Sequence, residues 1–186
     1  MKRVVITGLG ALTPIGNNVP DFWNAMLAGV SGAGPITHFD ASKFKTQFAC
    51  EVKDFNAADH FDRKRIRTLD LYAQYALVAA RQAIAESGID GEAVDHDRVG
   101  VIFAAGIGGL HTFEEEAGYY ALNGAEMGPK YNPFFIPKMI ADIAAGHISM
   151  EHGFRGPNFG VVSACASSTN AIIDSFNYIR LGKADA

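Results

Sequence analysis

Gly160-Val161-Val162-Ser163-Ala164-Cys165-Ala166-Ser167-Ser168-Thr169-Asn170 is the stretch that decides how the chain folds. Its first residues belong to a short apolar run over 159–163, the pattern of a strand buried on both faces. Its later residues are small and hydroxyl-bearing and lead into Ile172, Ile173, Phe176 and Ile179. Those four are spaced for the inner side of a helix over 166–181, with Gly182 as its stop. A cysteine therefore stands at a strand-to-helix turn, where unpaired amides and the helix dipole favour a thiolate and can hold an oxyanion. This is the logic of a nucleophile elbow, built on sulfur rather than serine. A free cysteine is as readily a small buried apolar residue, and the local pattern alone leaves the two readings level.

Outward from this stretch the same punctuation recurs. Val99 to Ala105 predicts a second buried strand, ending in Gly106-Ile107-Gly108-Gly109, and Val4 to Thr7 a third, running into a glycine-rich turn from Gly8 to Gly16. Leu69, Tyr72, Ala73, Ala76, Leu77, Ala80 and Ile84 recur at helical spacing up to Gly88, which predicts an amphipathic helix of about 18 residues. Asp21 to Ala28, bearing Trp23 and stopped by Gly29, reads as a short helix. Residues 30–62 read as irregular, with one strand over 46–52. After a loop rich in glutamate and tyrosine, Pro137 opens a mostly apolar helix through Met150. Strands separated by helices imply an α/β chain with a parallel sheet and right-handed crossovers.

Composition removes several function classes. The 186 residues are 48% hydrophobic and 19% charged, enough to bury a sizeable core and too apolar for disorder. Sixteen basic residues against twenty acidic give a net charge of −4, so no global basic field exists to hold a nucleic acid. Cys50 and Cys165 are far apart and lack metal-ligand spacing, which argues against a zinc site and a disulfide framework and fits a reducing cytosol. The apolar run after Met1 is too short for a signal peptide, and no stretch approaches ~20 apolar residues, so a soluble protein without a membrane span is expected.

Several segments together carry a family resemblance. Arg155-Gly156-Pro157-Asn158 followed by Val162-Ser163-Ala164-Cys165-Ala166-Ser167-Ser168 strongly resembles the active-site cysteine motif of the β-ketoacyl-[acyl-carrier-protein] synthases. Arg3-Val4-Val5-Ile6-Thr7-Gly8-Leu9-Gly10 through Thr13-Pro14-Ile15-Gly16 is similar to that family's opening strand and turn. Gly106-Ile107-Gly108-Gly109-Leu110, Asn132-Pro133-Phe134-Phe135-Ile136-Pro137 and Ala145-Gly146-His147 resemble its elongating, type II branch. Phe103-Ala104-Ala105 departs from it, since relatives commonly carry a small glycine-serine-glycine run there.

The resemblance implies a thiolase-like fold, layered α/β/α/β/α, of which residues 1–186 are the amino-terminal half. The carboxy-terminal half, with the catalytic histidines and a lysine, is then absent from this chain. His38, His60, His96, His111, His147 and His152 lie outside the family's catalytic histidine motifs and read as surface or packing residues. By resemblance Cys165 is the nucleophile that carries the acyl chain as a thioester, its own amide in the oxyanion hole. Ile107 and Gly108 border the acyl-chain tunnel, and Phe134 and Phe135 are substrate-binding residues at a homodimer interface, near the partner's tunnel. The implied activity is the decarboxylative condensation of malonyl-carrier protein with that acyl group in fatty-acid elongation, in the cytoplasm and with no metal or dissociable cofactor. A polyketide ketosynthase, or a non-catalytic dimerisation or chain-length subunit of the same fold, is the alternative; retention of Cys165 speaks against the latter.

Two further features have competing readings. Gly8-Leu9-Gly10 lacks the third glycine and the acidic partner of a dinucleotide fingerprint, so it reads as a tight structural turn. Arg63-Lys64-Arg65-Ile66-Arg67 is the one basic cluster on an acidic chain. Either it is a solvated helix start, or, as the resemblance implies for Lys64 and Arg67 above all, it steers an acidic acyl carrier protein.

Overall fold

In the computed structural model, which describes residues 2–186, the first regular element is helix α1, Val19–Leu27. Asn18 caps it by accepting from the Asp21 amide at 2.9 Å, and Gly29 leaves it at a φ of 67°. An antiparallel ribbon follows, β1 (Gly34–Pro35) against β2 (Phe48–Ala49). Next come helix α2, Arg63–Thr68, and helix α3, Leu71–Ser87, which stops at Gly88 in the left-handed conformation as the sequence predicts. Strand β3, Val101–Ala104, leads to α4, Leu110–Met127, α5, Phe135–Met139, and α6, Ile143–His152. Strand β4, Asn158–Val161, and helix α7, Ser167–Arg180, complete the order.

The strands β3 and β4 pair in parallel, Ile102 opposite Phe159 and Phe103 opposite Gly160. Alternation then assigns the two faces. Val101 and Phe103 pack on a core of Leu77, Val78, Val99, Ile148 and Phe154, supplied largely by α3 and α6. On the opposite face Ile102 borders Ser175 and Ile179 of α7, and Phe159 meets the Tyr178 ring at 5.7 Å. The result is three layers, with α3 and α6 on one side of the sheet and α7 on the other. The Arg81 guanidinium pairs with Glu151 to join α3 to α6, and the Tyr72 hydroxyl donates to the Ile140 carbonyl. Leu77 is almost fully enclosed, worth about 1.5–3 kcal/mol for such a side chain.

Several expectations are corrected. Residues 4–7 form no ladder; just beyond them the Leu9 amide donates to the Glu86 carboxylate at 2.6 Å and the Ala11 amide to Gln82 at 3.1 Å, so α3 holds the glycine-rich turn through its side chains. The glycines of this segment serve close packing, as a Cβ on Gly10 would stand 1.8 Å from the Ala79 carbonyl oxygen. The strand over 46–52 shrinks to two paired residues, and Cys50 lies just beyond it, exposed. The glutamate- and tyrosine-rich stretch expected as a loop is helix α4. The single helix from Pro137 to Met150 is broken into α5 and α6, because Met139 O accepts from Gly109 N and Ile140 turns to extended backbone. On α7, Ile172 is 70% exposed, Ile173 49% and Phe176 40%. Of the four residues expected inward only Ile179 lies on the sheet side; the rest of that face is Ser167 and Ala171, both buried, with Ser175 and Tyr178.

Candidate active site

Strand β4 delivers the chain to a tight turn, Ala164–Ala166, which leads directly into α7. Cys165 sits in the middle of that turn, exposed, and its side chain makes no hydrogen bond among the described residues. The turn is held from below. The Ser163 amide donates to the Ser167 hydroxyl at 2.8 Å, that hydroxyl donates to the Ala164 carbonyl at 2.7 Å, and the Asn170 amide group donates to the Ser163 hydroxyl at 2.7 Å. Ala164 adopts a φ of +49°, a region that residues with a Cβ seldom occupy. As the turn opens a helix, the Cys165 amide is among the first donors, which have no acceptor within the helix. Such a turn presents a sulfur to solvent beside free amides, the arrangement an acyl transfer uses.

A second feature is a cleft beside α3. One cavity of about 350 Å³ is lined by Leu12, Tyr72, Tyr75, Ala76, Phe103 and the Gly106–Gly108 turn. Another of about 400 Å³ shares Tyr72, Tyr75 and Gly108 and reaches Leu110, His38 and His111. The lining is mostly apolar, suited to a hydrocarbon rather than a charged ligand. Burial pushes the pKa of the Tyr72 hydroxyl up, and the Asp70 and Asp142 carboxylates push it further, so Tyr72 stays a neutral donor. Burial likewise raises Tyr75. Gly108, at a φ of +100°, admits no side chain: a Cβ there would stand 2.6 Å from the Met139 carbonyl oxygen.

The glycine turn is fixed by Asp70, a residue that the sequence reading passed over. Asp70 follows α2 and caps α3, one oxygen accepting from the Tyr72 amide at 3.2 Å. Its other oxygen accepts from Thr112 on α4, from the amide at 3.2 Å and the hydroxyl at 2.5 Å. Helix α4 begins at Gly109, which has no side chain to cap it, so Asp70 supplies that cap from a different helix. An Asp ahead of an apolar helical run was the available signal for half of this role; the other half spans 42 residues and has no local signature.

The predicted site residues fall in three places. Ile107, 66% exposed, and Gly108 line the cleft. Phe134 and Phe135 stand away from this chain's own cleft, as expected of residues assigned to a partner's tunnel: Phe135 stacks on Tyr131 at 5.5 Å, within an aromatic row that includes Phe113, while Phe134 is exposed at the start of α5. Lys64 and Arg67 are exposed three residues apart on α2, one turn of surface. Arg65 is half-buried instead and acts on His147 and Glu151 of α6. None of the histidines stacks on or bonds to an elbow residue among those described: His60 and His152 stack with phenylalanines, His96 meets Phe154 edge-on, and His111 pairs with Glu115.

Comparison with known proteins adds independent evidence. The chain is 44% identical over 186 residues to 3-oxoacyl-[acyl-carrier-protein] synthase 2 of Staphylococcus aureus (strain COL), covering all of this chain and 44% of the relative. It is 45% identical over 186 residues to the protein of the same name from Coxiella burnetii (strain RSA 493 / Nine Mile phase I), again covering 44% of it. The chain thus spans less than half the length of these curated relatives. Among solved structures, a β-ketoacyl synthase from Burkholderia phymatum STM815 superposes with a TM-score of 0.82 at 26% identity, covering 99% of this chain and 45% of that one. The architecture is accordingly the amino-terminal half of a thiolase-like fold. With the profile of the β-ketoacyl synthase N-terminal domain matched along residues 1–186, the chain belongs to the β-ketoacyl synthase family.

Proposed function

We propose that the chain is the nucleophile-bearing part of a 3-oxoacyl-[acyl-carrier-protein] synthase of fatty-acid elongation, with Cys165 as the acyl acceptor. The observation that carries this is an exposed, unpartnered cysteine on a strand-to-helix elbow, in a chain 44% identical to relatives that bear that enzyme's name. The Cys165 thiolate attacks the thioester carbonyl of an acyl-carrier protein. A new C–S bond forms, and the carrier's sulfur leaves and takes a proton. Malonyl-carrier protein then loses carbon dioxide, and the resulting enolate carbon attacks the Cys165 thioester, releasing the thiolate and a 3-oxoacyl-carrier protein. The Cys165 amide is placed to steady the tetrahedral oxyanion.

The acyl chain is assigned to the cleft at Ile107 and Gly108, whose apolar lining by Leu12, Ala76 and Phe103 suits it. Lys64 and Arg67 are assigned to docking of an acidic acyl carrier protein, because they are exposed on one face of α2 while Ile66 turns toward the core. Phe134 and the exposed rings of Phe113, Tyr120 and Tyr131 are assigned to a homodimer interface, a concentration of exposed aromatic surface that monomers rarely carry. A cytoplasmic setting accords with two unpaired cysteines, and among the described residues no helix is long and apolar enough to cross a membrane.

The deciding experiment incubates the protein with an acyl-carrier protein at neutral pH and locates the acyl group by peptide mass. The group is expected on Cys165, lost in Cys165→Ser and retained in Cys50→Ser. Acylation of Cys50, or acylation that survives Cys165→Ser, refutes the assignment.

A further inference from the structure

Ala164 and Asp54 are the non-glycine residues at positive φ among those described. Aspartate tolerates that region through local hydrogen bonding, whereas alanine has no polar group to help it. A strained backbone of this kind persists only where its surroundings hold it. One side chain does so here. Ser167, 3% exposed in the first turn of α7, accepts from the Ser163 amide just before the strained residue and donates to the Ala164 carbonyl just after it. A single hydroxyl thus spans Ala164 on both sides, and the peptide it fixes is the one that leads into Cys165.

We propose that Ser167 is a positioning residue for the Cys165 nucleophile, locking the left-handed turn at Ala164 so that the Cys165 sulfur and amide face the same incoming carbonyl. This rests on Cys165 being the nucleophile. Ser167 does not touch substrate: its hydroxyl is spent on the two backbone groups beneath the turn. Asn170, one turn further along α7, holds the Ser163 hydroxyl at 2.7 Å and so braces the residue just before the strained one.

The test is the ratio of iodoacetamide labelling rates at Cys165 and Cys50, read by peptide mass in the same sample at neutral pH. Cys50 is an internal control, because a general loosening of the fold leaves its exposed thiol as accessible as before. Ser167→Ala is expected to lower the ratio about 5- to 30-fold, the change set by loss of one such restraint, and Ser167→Thr, which keeps the hydroxyl, to restore it. Should Ser167→Ala fail to fold by circular dichroism, the pair Ala164→Gly/Ser167→Ala carries the same expectation, since glycine removes the strain but leaves the turn unfixed. A ratio unmoved by the substitution, or one that threonine does not restore, overturns the proposal alone. Slower labelling of Cys165 than of Cys50 in the unsubstituted protein overturns the nucleophile assignment and the proposal with it.

Discussion

Asp70→Ala removes a carboxylate, 5% exposed, that accepts from three donors on two helices. Loss of the cap on α3 costs about 0.5–2 kcal/mol. On α4 the Thr112 amide, in a residue 2% exposed, loses its acceptor at a cost of about 1–3 kcal/mol, while the Thr112 hydroxyl can turn to a carbonyl of its own helix. The sum is about 1.5–5 kcal/mol, a large share of the stability of a domain this size. At a urea dependence of about 1–3 kcal/mol per molar, a loss near 3 kcal/mol lowers the unfolding midpoint by about 1–3 M. Urea titration followed by far-ultraviolet circular dichroism measures it. Asp70→Asn should fall in between, because its carbonyl still accepts from one helix while its amide group opposes a donor on the other. A loss under about 1 kcal/mol for the alanine variant refutes the double-cap reasoning, as it would mean that water satisfies both helices equally well.

Three other outcomes are expected. Reversing Lys64 and Arg67 together to glutamate should weaken binding of an acyl carrier protein and flatten its salt dependence, since exposed charges are screened over ~8–10 Å at ordinary ionic strength; unchanged affinity by titration calorimetry returns α2 to a solvated helix. His147 is buried in α6 with both ring nitrogens unpartnered, and burial, then Arg65, holds its basicity below the ordinary value near 6.5. Below about pH 6.5 the unfolded chain therefore takes up a proton that the folded chain refuses, so stability falls with acidification by up to about 1.4 kcal/mol per pH unit, and His147→Leu should remove that slope from thermal midpoints measured between pH 5 and 8. Gly108→Ala should cost about 2–5 kcal/mol in chemical denaturation, from a side chain at positive φ and a Cβ 2.6 Å from the Met139 carbonyl oxygen.

Elements with their own periodicity or punctuation were legible in the sequence. Helix α3 follows from the spacing of its apolar residues and from Gly88, and β3, β4 and the elbow follow from apolar runs that end in small residues. What was not legible depends on partners far along the chain. Residues 4–7 have the composition of a strand, but their neighbours Leu9 and Ala11 bond to side chains of α3, a choice no window around them reveals. Helix α4 hides because its charged and aromatic residues lie mostly on an exposed surface, with Thr112 alone buried, so no apolar stripe announces it. For α7 the periodicity was seen and its direction largely misread: Ile172, Ile173 and Phe176 mark the outward face, while the sheet receives Ser167, Ala171, Ser175, Tyr178 and, of the expected four, Ile179 alone. The cysteine was identified, while Ser167 beneath it passed unremarked because a serine in a row of small residues carries no distinguishing signal.

The outward apolar face of α7 also governs how the chain behaves as a colloid. Ile172, Ile173 and Phe176, with Ile6 and Leu9 elsewhere on the surface, are adhesive area that only charge repulsion keeps apart. With a net charge of −4 and an isoelectric point near 5.8, that repulsion is weak at neutrality and vanishes on mild acidification. The same descent in pH favours protonation of the unfolded chain at His147, so self-association and loosening of the core converge on one narrow range of acidity. Buffers held well above pH 6 and low ionic strength, which lengthens the reach of the remaining charge, are the conditions under which the chain stays dispersed.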